Sequence, residues 1–317
     1  MPLQTTSILV GLLAGLSTAL LLVSAGMPSL LSIFLAAAAT MPVLIAGLGW
    51  SNLASGIAVV SAAAIVAMVT APLAAGVTAV TTLLPAAWMA HLSNLARPAE
   101  ELGGEAGAVI WYPLPDMLLR ACVVVVLGLC VLGYAVGYGP ELVERMVDAL
   151  VKSLGEGNAE FQPGAEAITE IKGFTAYFIP IVQGATGVIV LMASLYLAAA
   201  IVRLSGRSKR PRDDVPMQLR MPRGGIFAFV AGLALTFAGG PLAYVGWAIV
   251  GAFGAGFALA GFAILHALTR GKPWRGMALW LTYVSVVLFT VPLILFLFLG
   301  LADTARSSGS SNQHPRT

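Results

Sequence analysis

The sequence predicts an all-α protein: a polytopic transmembrane bundle of about nine helical spans, with an amphipathic surface helix near 140–154. Three observations carry this. Charged residues make up 10% of the 317, against about 25% in soluble domains, too few to cover a water-facing surface. The mean hydropathy is +0.92. Apolar runs near the roughly 20 residues that cross hydrocarbon as a helix follow one another along the chain. None alternates at period two, which excludes a β-barrel, the other fold that satisfies its backbone within lipid.

The spans read near 7–25, 29–48, 52–70, 72–93, 116–138, 174–203, 224–239, 242–268 and 277–302, parted by Gly/Pro-type breakers such as Gly26-Met27-Pro28, Thr70-Ala71-Pro72 and Gly239-Gly240-Pro241. No Lys or Arg precedes the first run; a cleaved signal peptide has a basic leading segment, so this run is expected to be retained. Residues 1–304 are expected to form one transmembrane domain, and the polar tail 305–317 to be disordered.

Loop charge sets the orientation. Residues 203–223 hold seven basic residues against Asp213 and Asp214, and 269–276 add Arg270, Lys272 and Arg275 without an acid. Residues 139–173 are the reverse, with seven acidic residues against Arg145, Lys152 and Lys172. Basic short loops stay in the cytoplasm. This predicts a bacterial inner-membrane protein with a cytoplasmic N-terminus, 203–223 inside and 139–173 outside. In the acidic loop Leu142, Val143, Met146, Val147, Leu150, Val151 and Leu154 recur at helical spacing behind Pro140, a residue suited to the first helical position.

Recognisable chemistry is scarce. No apolar run carries an Asp, Glu, Lys or Arg near its middle, as proton relays and ion-coupled pumps usually do. There is no GxxxxGK[ST], HExxH, CxxC or GxSxG. His91, His266 and His314 are scattered, and Cys122 and Cys130 read as small apolar fillers. No metal, cofactor or nucleic acid is expected, and an enzyme is the least favoured class.

Some features point to a cavity or a contact. Pro42, Pro85, Pro180 and Pro292 interrupt spans; Pro180 is followed by Gln183, Gly184, Thr186 and Gly187. Transporters bind solutes at broken helices, and an amide within a span needs a partner, which makes Gln183 and Thr186 candidate binding residues. Gly11, Gly15 and Ala19 form a small-residue stripe that suits close packing within the chain or a partner interface. Arg207, Lys209, Arg210 and Arg212 suit anionic lipid heads or a docked partner.

The stretch Trp111-Tyr112-Pro113 followed by Pro115, Asp116 and Arg120 has two readings. One is the start of a helix: aromatic rings at the headgroup level, prolines that hold the backbone extended, Asp116 as cap, and Arg120 pairing with it or snorkelling. The other is a cytoplasmic-side site built from Trp88, His91, Arg97, Tyr112, Asp116 and Arg120.

The Trp111-Tyr112-Pro113 motif, SLYLAAAIVRLSGRSKRP at 194–211, LRMPR at 219–223 and LGLAD at 299–303 together resemble the YybS-like family of bacterial polytopic membrane proteins, domain of unknown function 2232, in its alphaproteobacterial form. In that family the position before WYP is often Glu; here it is Ile110, which removes the acid from that motif. The resemblance implies an inner-membrane protein without an assigned activity. A more distant likeness, to the substrate-binding subunits of energy-coupling-factor vitamin transporters, implies small-molecule uptake with small-residue stripes docking a partner.

Two functions are therefore expected in competition: a small-molecule transporter, or its substrate-binding membrane subunit, supported by the bilayer and an energy-coupling partner; and a membrane scaffold or assembly factor that docks partners through the basic loop.

Overall fold

The computed structural model describes residues 3–26, 30–157, 163–289 and 291–310. The chain is an all-α bundle. Its helices are α1 (Leu3–Ala25), α2 (Leu30–Ala38), α3 (Met41–Gly49), α4 (Asn52–Val69), α5 (Pro72–Thr78), α6 (Leu84–Ser93), α7 (Leu114–Val136), α8 (Pro140–Gly157), α9 (Ala165–Leu204), α10 (Val215–Gln218), α11 (Arg223–Leu235), α12 (Gly240–Leu268), α13 (Arg275–Leu288) and α14 (Val291–Ser310). A two-stranded hairpin, β1 (Ala96–Pro98) with β2 (Val109–Trp111), joins α6 to α7.

Among the described residues seven segments are long and apolar enough to cross a membrane: α1, α2–α3 together, α4, the run Pro72–Ser93, α7, α9 and α12. The bent pair α13–α14 adds an eighth if it is one span. The expected count of about nine is corrected at two places. The expected span at 224–239 is the 13-residue α11, too short to cross alone. The expected span at 277–302 is two helices meeting at 120°.

The prolines act as the backbone rules require. Pro42 starts α3 after a break at Ala39-Thr40. The exposed Ala37 carbonyl is met by Ser194 Oγ at 3.2 Å and Thr40 Oγ1 at 3.4 Å. Pro85 follows a π-helical turn at Ala79–Leu83. Pro180 sits inside an uninterrupted α9. It has no N–H for the Ala176 carbonyl one turn earlier, and Tyr138 donates its hydroxyl to that carbonyl at 3.1 Å.

α12 is the axis of the bundle, with 72% of its apolar window buried. Glycine lets its neighbours reach backbone contact. A Cβ at Gly184 of α9 would meet the Ala248 carbonyl at 2.5 Å, and one at Gly246 would meet the Gly232 carbonyl of α11 at 2.8 Å. Gly261 lies on the Phe296 backbone of α14 and Gly300 on the Phe257 backbone, so α14 runs antiparallel to α12.

The stripe Gly11–Gly15–Ala19 is taken up internally. Gly11 packs on Ala54 and Ile57, Gly15 on Ala58 and Ser61, all of α4, and Ala19 is fully buried. It offers no open partner face.

One face of the bundle gathers the basic loops. Arg270 pairs with Asp214 at 2.6 Å, joining the two loops. Arg207 lies over the Trp50 ring, 4.5 Å from its centroid, and Ser51 Oγ donates to Ser7 Oγ at 3.1 Å, which places the start of α1 on the same face. α8 sits at the opposite, acidic end and is the expected amphipathic helix, with Val143 and Val147 buried. Lys172 ties it to α9 through Glu144 at 2.9 Å and Asp148 at 3.1 Å. Helix α9 starts at Ala165 rather than near 174, so it extends past the bundle to carry α8. At the other terminus α14 continues helically through the 305–310 part of the tail expected to be disordered; 311–317 lie outside the described residues.

Candidate functional site

The basic segment 205–222 is not a plain surface loop. Its middle is pinned by Arg210, whose side chain is only 9% exposed. The guanidinium makes a two-pronged contact with Asp213, both bonds 2.8 Å, and Nη1 donates to the Tyr112 carbonyl at 2.8 Å. The Ser93 carbonyl lies at 3.4 Å. One arginine thus ties the ends of α6 and α7 to the chain leaving α9. A planar guanidinium can do this because it donates in several directions at once.

Beyond α10 the chain turns inward. Leu219 and Met221 are buried. Met221 packs on Gly225 and on Gly256, close to the middle of α12 and roughly 18 Å from its C-terminal end at 1.5 Å per residue. α11 begins at that depth and runs to the acidic end, where Gly239-Gly240 turns into α12. The segment 211–222 with α11 is therefore a discontinuous limb. Irregular backbone at such depth is tolerated only where protein satisfies it or a cavity adjoins it.

Both conditions hold. Arg220 Nη1 donates to the Pro216 carbonyl at 2.9 Å and the Leu219 carbonyl at 2.8 Å, while Nε pairs with Asp303 of α14 at 3.3 Å. Thr304 Oγ1 reaches the Met221 carbonyl at 3.1 Å. The sequence showed no charge near the middle of an apolar run. The fold nevertheless brings a cation and a carboxylate together beside the bundle's axis, because the limb carries Arg220 inward and α14 carries Asp303 toward it.

Beside the limb is a chamber of about 440 Å³. Its walls are mostly apolar: Met117 of α7, Ile189 and Met192 of α9, Leu259 and Phe262 of α12, and Leu219 of the limb. Polar groups are few. His266 Nε2 and the Tyr283 hydroxyl are 2.8 Å apart. Arg203 and Arg212 also line it, and neither forms an ion pair among the described residues. The nearby acids are occupied: Asp213 by Arg210, Asp214 by Arg270. The Arg270 guanidinium holds the Asp214 carboxyl below the usual carboxylate range, and the pairing raises Arg270 in turn. Chemically, the chamber offers an apolar body the two cations Arg203 and Arg212, which stand outside the ion pairs, and a His–Tyr pair, with Asp213 on its wall neutralised by Arg210.

A second cavity of about 520 Å³ lies between α4, the Pro72–Ser93 run and α7. Trp88, His91, Asn52 and Ser55 line one part of it; Val80, Leu127 and Val131 line another.

The residues singled out in the sequence scatter over these features. Gln183 and Thr186 lie on an exposed face of α9, which continues unbroken through Pro180, and line neither of these two cavities. Trp88 and His91 line the second cavity. Tyr112 contributes its carbonyl to Arg210. Helix α7 starts at Leu114 behind Pro113, so Asp116 stands in the first turn and not at the cap, and no ion pair joins it to Arg120. Of the four loop cations expected to dock a lipid or partner, Arg210 is buried and committed, and Arg207 stacks on Trp50. Only Lys209 and Arg212 remain exposed without such a contact.

Arg203, His266, Tyr196 and Tyr283 of the chamber were missed. The signal that could have found it is in Val215-Pro216-Met217-Gln218-Leu219-Arg220-Met221-Pro222: four apolar side chains and two prolines inside a loop assigned to water. Such residues in a basic connection indicate a chain that re-enters the bundle.

The motifs quoted from the sequence meet in pairs. Tyr112 of WYP accepts from Arg210 of SGRSKRP, and Arg220 of LRMPR pairs with Asp303 of LGLAD. Residues 16–304 match the family model described as predicted membrane protein, DUF2232. The chain belongs to this family. The match spans every helix that builds the DUF2232 bundle, from within α1 to Thr304 of α14. No curated protein and no solved structure matches the chain.

Proposed function

We propose that this DUF2232 protein binds and moves a small amphipathic anion across the bacterial inner membrane, as a transporter or as the substrate-binding membrane subunit of one. The observation that carries the reading is the discontinuous limb 211–222 with α11, set against a chamber large enough for a solute. Transporters hold substrate beside broken helices, and here the chamber lies between the limb and the basic-face ends of α6, α7, α9 and α12, at Ser93, Leu114, Arg203 and His266. The apolar walls favour a solute with an apolar body; Arg203 and Arg212 favour one acidic group at the basic end. By the distribution of basic loops that end faces the cytoplasm. A partner would supply energy, since the chain has no nucleotide-binding motif.

The scaffold reading loses support, because two of its four loop cations serve the fold itself. Native mass spectrometry of the protein extracted from its own membranes is the test. The expected result is a bound acidic species of a few hundred daltons, a size that follows from ordinary ligand pockets. Ala263→Phe, which places a ring in the chamber wall, removes it while unfolding stays cooperative. A protein free of any small ligand, with accumulation of solutes in vesicles unaffected by that variant, would overturn the proposal.

A further inference from the structure

The second cavity has a polarity gradient along the membrane normal. On α4, Asn52 stands at the basic-face end, with Ser55 and Gly56 farther in; on α6 His91 stands nearest that face, with Trp88 and Leu84 behind it and Val80 of the π-helical turn farther still. On α7 the lining residues Val124, Leu127, Gly128 and Val131 run away from that face. The polar side chains thus gather where lipid headgroups begin, and the deep end is wholly apolar.

Two polar features lie at the shallow end. Asn52 Nδ2 and His91 Nδ1 are 2.8 Å apart; the amide nitrogen only donates, so Nδ1 accepts and the ring keeps its proton on Nε2 as a further donor. Arg120 lies one helical turn before Val124, on the same face of α7 and toward the basic end. It is exposed and forms no ion pair among the described residues. It sits roughly 9 Å along α7 from Leu114 at 1.5 Å per residue, within reach of the headgroups by snorkelling.

We infer that this cavity is a binding site for one anionic glycerophospholipid of the leaflet on the basic face. An acyl chain fills the space lined by Val80, Leu127 and Val131. The Asn52 and His91 groups meet the ester region, and Arg120 meets the phosphate. The gradient fixes the orientation, and Arg120, one turn along α7 from the lining Val124, sets the charge preference. This site is separate from the chamber under α10 and does not depend on the transport reading.

Gly56 supplies the test. A Cβ there meets nothing within 4 Å, so a larger side chain enters the cavity without displacing protein. The purified protein is titrated with phosphatidylglycerol and with phosphatidylcholine of the same chains, and bound lipids are counted by native mass spectrometry. The wild type is expected to hold one phosphatidylglycerol about fivefold more tightly than phosphatidylcholine, the worth of one surface cation beside an anionic head. Gly56→Phe loses that lipid. Arg120→Gln keeps a lipid but loses the preference for phosphatidylglycerol. Glycerol 3-phosphate, a headgroup without chains, does not compete. Leu127→Trp, on the membrane-facing wall, repeats the Gly56 result by an independent route. Retention of the wild-type lipid in both filling variants, or an unchanged preference in Arg120→Gln, overturns the proposal, as does competition by glycerol 3-phosphate.

Discussion

The α1–α4 pair and the limb 211–222 with α11 meet the same requirement in opposite ways. In the pair two long helices run parallel, Gly11 on Ala54 and Gly15 on Ala58, and small residues set the spacing. Ser61 and Ser17 return their hydroxyls to carbonyls of their own helices. In the limb the helix is broken; Arg220 and Thr304 satisfy its exposed backbone, and Arg210 pins its start to the Tyr112 carbonyl. A continuous helix satisfies its own backbone in lipid; a broken one must recruit side chains with many donors. Charge therefore appears inside this bundle where the backbone fails, and nowhere in the α1–α4 pair.

The sharpest way to break the comparison is Arg210→Ala. It leaves Asp213 largely buried without its cation and frees the Tyr112 carbonyl. Loss of one partner from a buried pair costs about 3–5 kcal/mol. The expected outcome is a large fall in thermal midpoint in detergent, or failure to accumulate in the membrane. Arg210→Lys keeps the charge but not the two-pronged geometry and falls between. An Arg210→Ala protein as stable as wild type would show that the limb needs no pin.

Glycine contacts give the next effect and test the α1–α4 side on equal terms. Gly184→Leu drives a side chain into the α12 backbone at Ala248–Ala252, and Gly15→Leu drives one into α4 at Ala58–Ser61. Overpacking costs about 1–3 kcal/mol or more where only backbone can yield. Gly184→Leu is expected to destabilise more, since Ser61 can turn away whereas the α12 backbone cannot. Gly56→Ala is the control and should leave the midpoint unchanged. Unfolding midpoints of the three variants in one detergent check the order.

Much of the fold was legible because lipid makes long apolar runs unambiguous. The amphipathic periodicity of 140–154 and the shared face of the two basic loops were legible for related reasons: one reads the 3.6-residue repeat, the other counts charge. The limb was not, because its four-residue α10 and 13-residue α11 carry no periodic signal of their own, and a basic loop reads as water-exposed by composition. Trp88 and His91, conspicuous as an aromatic and an imidazole near a span end, line the second cavity. Gln183, singled out because an amide in an apolar run calls for a partner, lies on an exposed face of α9. Chamber residues such as Arg203 and Tyr283 are 80 residues apart in sequence, and only the return of α13 toward α12, with Tyr283 beside His266, brings them to one cavity.

The smallest effect concerns the clasp between the two basic loops. Asp214 has its pKa lowered chiefly by the hydrogen bonds from Arg270. A carboxyl with a folded pKa below its unfolded value binds protons more readily when unfolded. Its contribution is therefore complete at neutral pH and is lost as pH falls through the lowered folded value, below the ordinary carboxylate range of roughly 4. Both partners are solvent-exposed, so the contribution is screened and small. Thermal midpoints taken from neutral pH downward should fall slightly less steeply in Asp214→Asn than in wild type, with the two curves converging in acid. Added salt should narrow the neutral-pH gap, whereas it should leave the Arg210→Ala deficit in place, because that pair is shielded from solvent by the bundle. If salt erased both gaps equally, Arg210 would be acting as a surface charge, and the contrast between the α1–α4 pair and the pinned limb would fail.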